Sequence, residues 1–148
     1  MTDKTTIIPE RLHRLLGEDF HLRSGSGSGI NGEVDACIMQ AVDWLAGGTG
    51  KVAPSITRFC IRLNDSWLFA EHRDLLKPFA AKIVGTRNPS LDRKRDFICA
   101  AYAASEFAAY VAYVASDSAA SDSAARKAGI CDLLRQKNLE CLQALIDA

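Results

Sequence analysis

The sequence predicts an all-α fold, and three observations carry the prediction. Apolar residues recur at i, i+3 and i+4 through most of the chain, no run alternates with period two, and residues 97–115 form an alanine-rich stretch with a single charge, Glu106. The expected architecture is a compact bundle of five to seven helices in which the long Ala-rich helix pairs antiparallel with a C-terminal helix. At 148 residues the chain has the length of one domain, spanning 1–148.

The first helix is expected over 9–16, where Pro9 suits a first turn, Thr6 or a neighbour caps, Leu12, Leu15 and Leu16 share a side, and Gly17 stops it. Residues 23–29 (RSGSGSG) read as a flexible surface loop. A second helix follows, with Asn31 as its cap, a stripe of Val34, Cys37/Ile38, Ala41 and Leu45, and Gly47-Gly48 as its stop. Asp35 and Asp43 then share its solvated outer side. Pro54 opens a third helix with Ile56, Phe59, Cys60 and Leu63 inward and Arg58 and Arg62 outward. The pattern over 68–84 is helical but contains Pro78, which must kink or split it, and Gly85 is placed to end it. The longest helix is expected from 91 to about 115. The pentapeptide SDSAA at 116–120 recurs at 121–125 and marks the turn, and a last helix over about 124–148 carries Ile130, Leu133/Leu134, Cys141/Leu142 and Leu145/Ile146 inward.

Composition removes several functions. Eighteen Lys and Arg balance eighteen Asp and Glu, so the chain lacks the excess positive charge of a general nucleic-acid binder. A membrane span over 97–115 is disfavoured, because alanine supplies little driving force against the roughly 2.5–3.5 kcal/mol that an acidic group costs at the bilayer centre. No apolar leader is visible near Met1, and the five cysteines include no CxxC pair, so reduced, buried thiols in a cytoplasmic setting are expected. The histidines His13, His21 and His72 are scattered, and no metal, cofactor or catalytic residue is assigned. The stretch 47–51 (GGTGK) fails as a phosphate loop: Leu45 stands at the first glycine position, Val52 follows the lysine, and a helix precedes it.

Two surface features invite function. Tyr102, Glu106, Tyr110 and Tyr113 fall within a sector about 80° wide on the long helix, and tyrosines of this kind are enriched at interfaces. The sector around Phe97, Ala101, Ala104, Ala108, Val111 and Ala115 lies opposite and is expected to admit close helix approach. The Tyr/Glu stripe is accordingly the expected partner-binding surface, toward another protein or a second copy. The segment from Arg87 to Arg95 is the second feature. It places Arg93, Lys94 and Arg95 in a first helical turn, where they oppose the helix dipole.

Several short motifs, in order, carry a resemblance: LRSG at 22–25, CIMQAV at 37–42 with Ala46-Gly47, Pro54 with Ile56 and Phe59, Asn64-Asp65, Pro78, and VGTR at 84–87. Together they resemble a widespread set of small uncharacterised proteins of actinobacteria and their phages. Gln40 stands where that pattern has Glu, and a cysteine often found just before the proline is absent. The resemblance covers residues 22–87 and implies a shared helical fold.

The functional expectation is a non-enzymatic cytoplasmic interaction protein, for instance a phage or mobile-element inhibitor of a host system. The alternatives are a small hydrolase with a site at Arg23, Asn64, Asp65 and Arg87, where loops and helix ends gather polar groups, and a nucleic-acid accessory protein using residues 87–95.

Overall fold

A computed structural model describes residues 6–25, 35–116 and 123–148. The fold is all-α, with six α-helices among the described residues. Helix α1 is Pro9–Leu16, α2 Ile38–Leu45, α3 Pro54–Asp65, α4 Lys77–Ile83, α5 Asp92–Ser116 and α6 Ser123–Asp147. Two short strands, β1 (His21–Leu22) and β2 (Asp35–Ala36), pair in parallel, His21 with Asp35 and Leu22 with Ala36. The chain divides into two compact units, Met1–Asp92 and Arg93–Ala148.

The first unit is built around α2, which packs on α1, α3 and α4. Its apolar stripe of Ile38, Ala41, Val42 and Leu45 is wholly buried, together with Leu15, Ile56, Cys60, Phe69, Leu76 and Ile83. Pro9 and Pro54 each stand in the first turn of their helix, where the missing amide would have had no partner. Pro78 also sits in a first turn. The helical pattern over 68–84 therefore splits into two 3₁₀ turns, Trp67–Phe69 and Arg73–Leu76, followed by α4.

The start of α2 corrects the sequence reading. Cys37 is the N-cap rather than a stripe residue: its Sγ accepts from the Gln40 amide, and the Gln40 side chain accepts from the Cys37 amide at 3.0 Å. Pairing with β1 holds Asp35 and Ala36 extended, so the helix cannot begin earlier and Asp35 does not share a helical face with Asp43. Asn31 and Val34 lie outside the described residues. The first helix likewise follows Ile8 with no side-chain cap, in place of the Thr6 cap expected.

Residues 47–51 form the α2–α3 connection. Gly47 has φ +69°, and Gly50 donates to Asp43 Oδ1 at 2.7 Å in a space where a Cβ would lie 2.6 Å from Val42 Cγ1. This connection is tied to the end of α4: Gly85 donates to Gly50 O at 2.7 Å, Arg87 donates to Lys51 O at 2.8 Å, and the Thr86 hydroxyl accepts from the Ala53 amide. The VGTR motif thus acts as a clasp on the start of α3.

In the second unit α5 and α6 run antiparallel. Arg95 donates to Leu145 O, Asn138 donates to Glu106, and Lys127 lies over Tyr113, so each step forward along α5 is a step back along α6. The positions on α5 that lose exposure include Arg95, Cys99, Tyr102, Glu106, Ala109 and Tyr113; on α6 they include Lys127, Cys131, Leu134, Asn138, Cys141 and Leu145. Both sets alternate steps of four and three, the spacing of a left-handed helical seam. Leu133, expected inward, is 46% exposed. Residues 117–122, which contain most of the repeat expected to form the turn, lie outside the described residues.

Candidate functional site

The residues that carry the resemblance meet in the first unit. Asn64, at the end of α3 and 1% exposed, is their hub. Its Oδ1 accepts from the Ile38 amide at 3.1 Å, and its Nδ2 donates to Arg23 O at 2.8 Å and to Asp65 Oδ1 at 3.0 Å. Its own carbonyl accepts from Arg73 Nε at 2.6 Å. One side chain therefore satisfies an otherwise orphaned amide at the start of α2 and holds the chain leaving β1. Asp65 accepts from the Gly25 amide at 2.9 Å; that bond, and then the one from Asn64, holds its carboxyl below the usual range.

Beside this hub is a half-open cleft of about 520 Å³, bordered by Gly25, Cys37, Met39, Gln40, Ile61 and Asp65 among others. Of the four residues proposed for a hydrolase site, Arg23, Asn64 and Asp65 are brought together. Arg87 is not. It is tied to Lys51, just before α3, whereas Asn64 and Asp65 end that helix, about 16 Å along its axis. At this cleft the Asn64 side chain bonds Ile38, Arg23 and Asp65, while Cys37 and Gln40 form the cap of α2.

A second polar cluster ties β1 to the segment before α4. Asp74 accepts from the Leu22 amide at 2.9 Å, contacts His21 Nδ1 at 2.9 Å and lies 3.4 Å from Lys77 Nζ, while Lys77 also donates to Gly17 O. Burial alone would raise the Asp74 carboxyl, but these partners outweigh it and the net shift is downward. The Cys60 thiol is pushed up to about 12 by burial, which makes it inert at neutral pH. All five cysteines are thiols, but only Cys60 and Cys141 are buried; Cys37, Cys99 and Cys131 are half-buried. Among the described residues, no group of His, Cys, Asp and Glu is placed to hold a metal ion.

The second unit exchanges the two faces of α5 relative to expectation. The stripe of Tyr102, Glu106, Tyr110 and Tyr113 runs along the α6 side: Asn138 donates to Glu106 at 3.4 Å, and Tyr113 lies beneath Lys127 Nζ at 5.8 Å. Tyr102 is half-buried, and Tyr110, stacked on Tyr113 with ring centres 6.4 Å apart, is 50% exposed. The sector expected to pack is the open one. Phe97 is 75% exposed, Phe107 69%, Val111 50% and Val114 51%, with Ala101, Ala104, Ala108 and Ala115 exposed between them. The reason lies in polar pairing. Arg95, 2% exposed, donates to Leu145 O at 3.0 Å, and Lys94 donates to Ala148 O, so the first-turn cations of α5 meet the carbonyl end of α6. This also engages Lys94 and Arg95, two of the four cations over 87–95, in contacts within the second unit.

The uncovered arc on α5 spans about 200° of the helix at 100° per residue and is apolar from Phe97 to Ala115. Monomeric proteins rarely leave a contiguous apolar surface of this length open. By length and composition, Pro89–Ala115 is apolar enough to cross a membrane. Its seam nevertheless carries Arg95 and Glu106, and the helix paired with it carries Asp132, Arg135, Gln136, Lys137 and Glu140, all of which would have to enter the bilayer with it.

The chain matches no family model, no curated protein and no solved structure.

Proposed function

We propose that this protein is a non-enzymatic interaction module whose working surface is the outer face of α5. The observation that supports this reading is the exposure of Phe97, Phe107, Val111 and Val114 on one side of a helix whose other side is already engaged by α6. A binding surface of this kind works by occupying a partner, and a phage or mobile element would use it to block a host protein. The polar groups of the first unit support the same reading, since the hub at Asn64 is consumed in holding the fold.

The test is a tagged full-length chain expressed in its native cells, with co-purifying proteins, a second copy included, quantified for wild type and Phe107→Glu. Loss of association by about tenfold or more, equivalent to roughly 1.4 kcal/mol, with helix content unchanged by circular dichroism, is the expected result. Association that survives Phe107→Glu sinks the reading. The half-exposed Tyr110 supports a second one: if Tyr110→Ala and Tyr113→Ala abolish binding and Phe107→Glu does not, the tyrosine stripe is the partner surface.

A further inference from the structure

We infer that the occupant of the outer face of α5 is the same face of a second copy, paired antiparallel; this rests on the reading of that face as a protein-binding surface.

The spacing comes first. Phe97, Ala101, Ala104, Ala108, Val111 and Ala115 alternate steps of four and three, as the α6 seam does on the other side, so the face is cut to receive a helix along its whole length. The side-chain sizes then choose the partner. In an antiparallel pair centred between Ala104 and Ala108, Phe97 of one copy stands opposite Ala115 of the other, Ala101 opposite Val111, and Ala104 opposite Ala108. Large meets small in the outer layers, and only small residues meet at the centre, where two backbones must approach most closely. The two-fold axis of such a pair repeats each of these contacts, once in each sense.

Charge agrees with shape. The outer arc of α5 from Phe97 to Ala115 holds no ionised group, so two copies meet without repulsion. The antiparallel arrangement sets the exposed Arg93 of each copy beside the carbonyl end of the other α5, which carries a partial negative charge. The area is adequate too. At roughly 150–250 Å² per aromatic ring, Phe97 and Phe107, 75% and 69% exposed, supply up to about 300 Å² per copy. The valines and alanines, with the flanking edge of α6, extend this toward the roughly 800 Å² per partner of a standard interface.

Sedimentation equilibrium of the full chain, under reducing conditions and across the micromolar range, reads the association directly. The expected mass is twice 16.1 kDa. Ala101→Lys alone and Val111→Glu alone each weaken dimerisation by about tenfold or more, since each buries an unpaired charge at the interface. The double variant recovers most of it, because the introduced lysine of one copy then faces the introduced glutamate of the other; a parallel pair would set like charges together and show no recovery. Circular dichroism of each variant checks that the helices remain. A monomer throughout the range overturns the inference, as does a dimer indifferent to both single substitutions or a failure of the double variant to recover. Binding of a monomer to phosphatidylcholine–phosphatidylglycerol vesicles, lost in Val111→Glu, overturns it in favour of a lipid surface. A monomer whose capture of a different protein is lost in Phe107→Glu overturns the self-pairing and leaves the protein-binding reading standing.

Discussion

The two units use their apolar residues in different ways. In the first, aliphatic and aromatic side chains of varied shape converge on α2, and the fully buried set includes Phe20, Phe69, Ile38, Ile56 and Leu76. Its polar ties are distant in sequence: Asn64, Asp74 and Thr86 each bond a segment 26 or more residues away. In the second, α5 is apolar nearly all round and has two sides of equal heptad spacing. The side that α6 covers is the one carrying Arg95 and Glu106. Hydrophobicity therefore decides the fold of the first unit, whereas in the second it leaves two choices open and polar pairing selects between them.

If that contrast holds, the largest single effect should come from breaking the tie that the first unit cannot replace. Asn64→Leu keeps the branched, four-heavy-atom side chain but strands the Ile38 amide and the Arg23 carbonyl. At about 1–3 kcal/mol per buried group left unsatisfied, the expected loss of stability is about 2–6 kcal/mol, read by urea unfolding. Asn64→Asp, which keeps the acceptor and loses the donor, should fall between wild type and Asn64→Leu. A loss below about 1 kcal/mol for Asn64→Leu, less than one stranded group should cost, would mean that the core, and not the hub, sets this corner of the fold.

The corresponding change in the second unit is smaller and more local. Arg95→Met preserves the buried stem but removes the donor to Leu145 O at the end of α6. The expected cost is about 1–2 kcal/mol, the range for a cation in a favourable, partly buried position at a helix C-terminus. Hydrogen exchange should show it as faster opening at residues 141–148, with residues 127–138 little changed. Uniform acceleration along α6 would instead make Arg95 a determinant of the whole pairing, which would strengthen the case that polar contacts choose the face.

The same contrast explains what is legible in the sequence. Helices α1, α3, α5 and α6 can be placed almost to the residue, because Pro9 and Pro54 mark starts and the apolar period is sustained. The β1–β2 pair cannot, since two residues on each side carry no periodic signal and the pairing is set by segments apart in sequence. Cys37 escapes notice as a cap because a thiol is not a usual cap residue, and its role depends on Gln40 and on the extended pairing before it. The faces of α5 are exchanged because bulk hydrophobicity favours burying Phe97 and Val111. The signal that corrects this is present in the chain: cations in the first turn of α5 make sense opposite the carbonyl end of an antiparallel α6. At the candidate site, Asn64, Asp65 and Arg23 are legible as loop and helix-end polar residues, but the separation of Arg87 follows from a clasp that no local pattern announces.

The smallest expected effect is also the one that isolates an electrostatic tie within the first unit. Burial raises the Asp74 carboxyl, yet the Leu22 amide, His21 and Lys77 bring its folded pKa below the ordinary value. A group depressed in this way stabilises the fold above its unfolded pKa of about 4, and the contribution is lost as pH falls through the folded value. Asp74→Asn should therefore lower the urea midpoint at neutral pH by a modest amount, and the gap from wild type should close as the pH is taken from about 5 to about 3. The carboxylate is half-exposed, so solvent screens it and the effect at neutral pH stays well below that of Asn64→Leu. A gap that persists unchanged at the acid end would assign the role of Asp74 to the geometry of its bond with Leu22 rather than to its charge, and would make the polar ties of the first unit matters of hydrogen bonding alone.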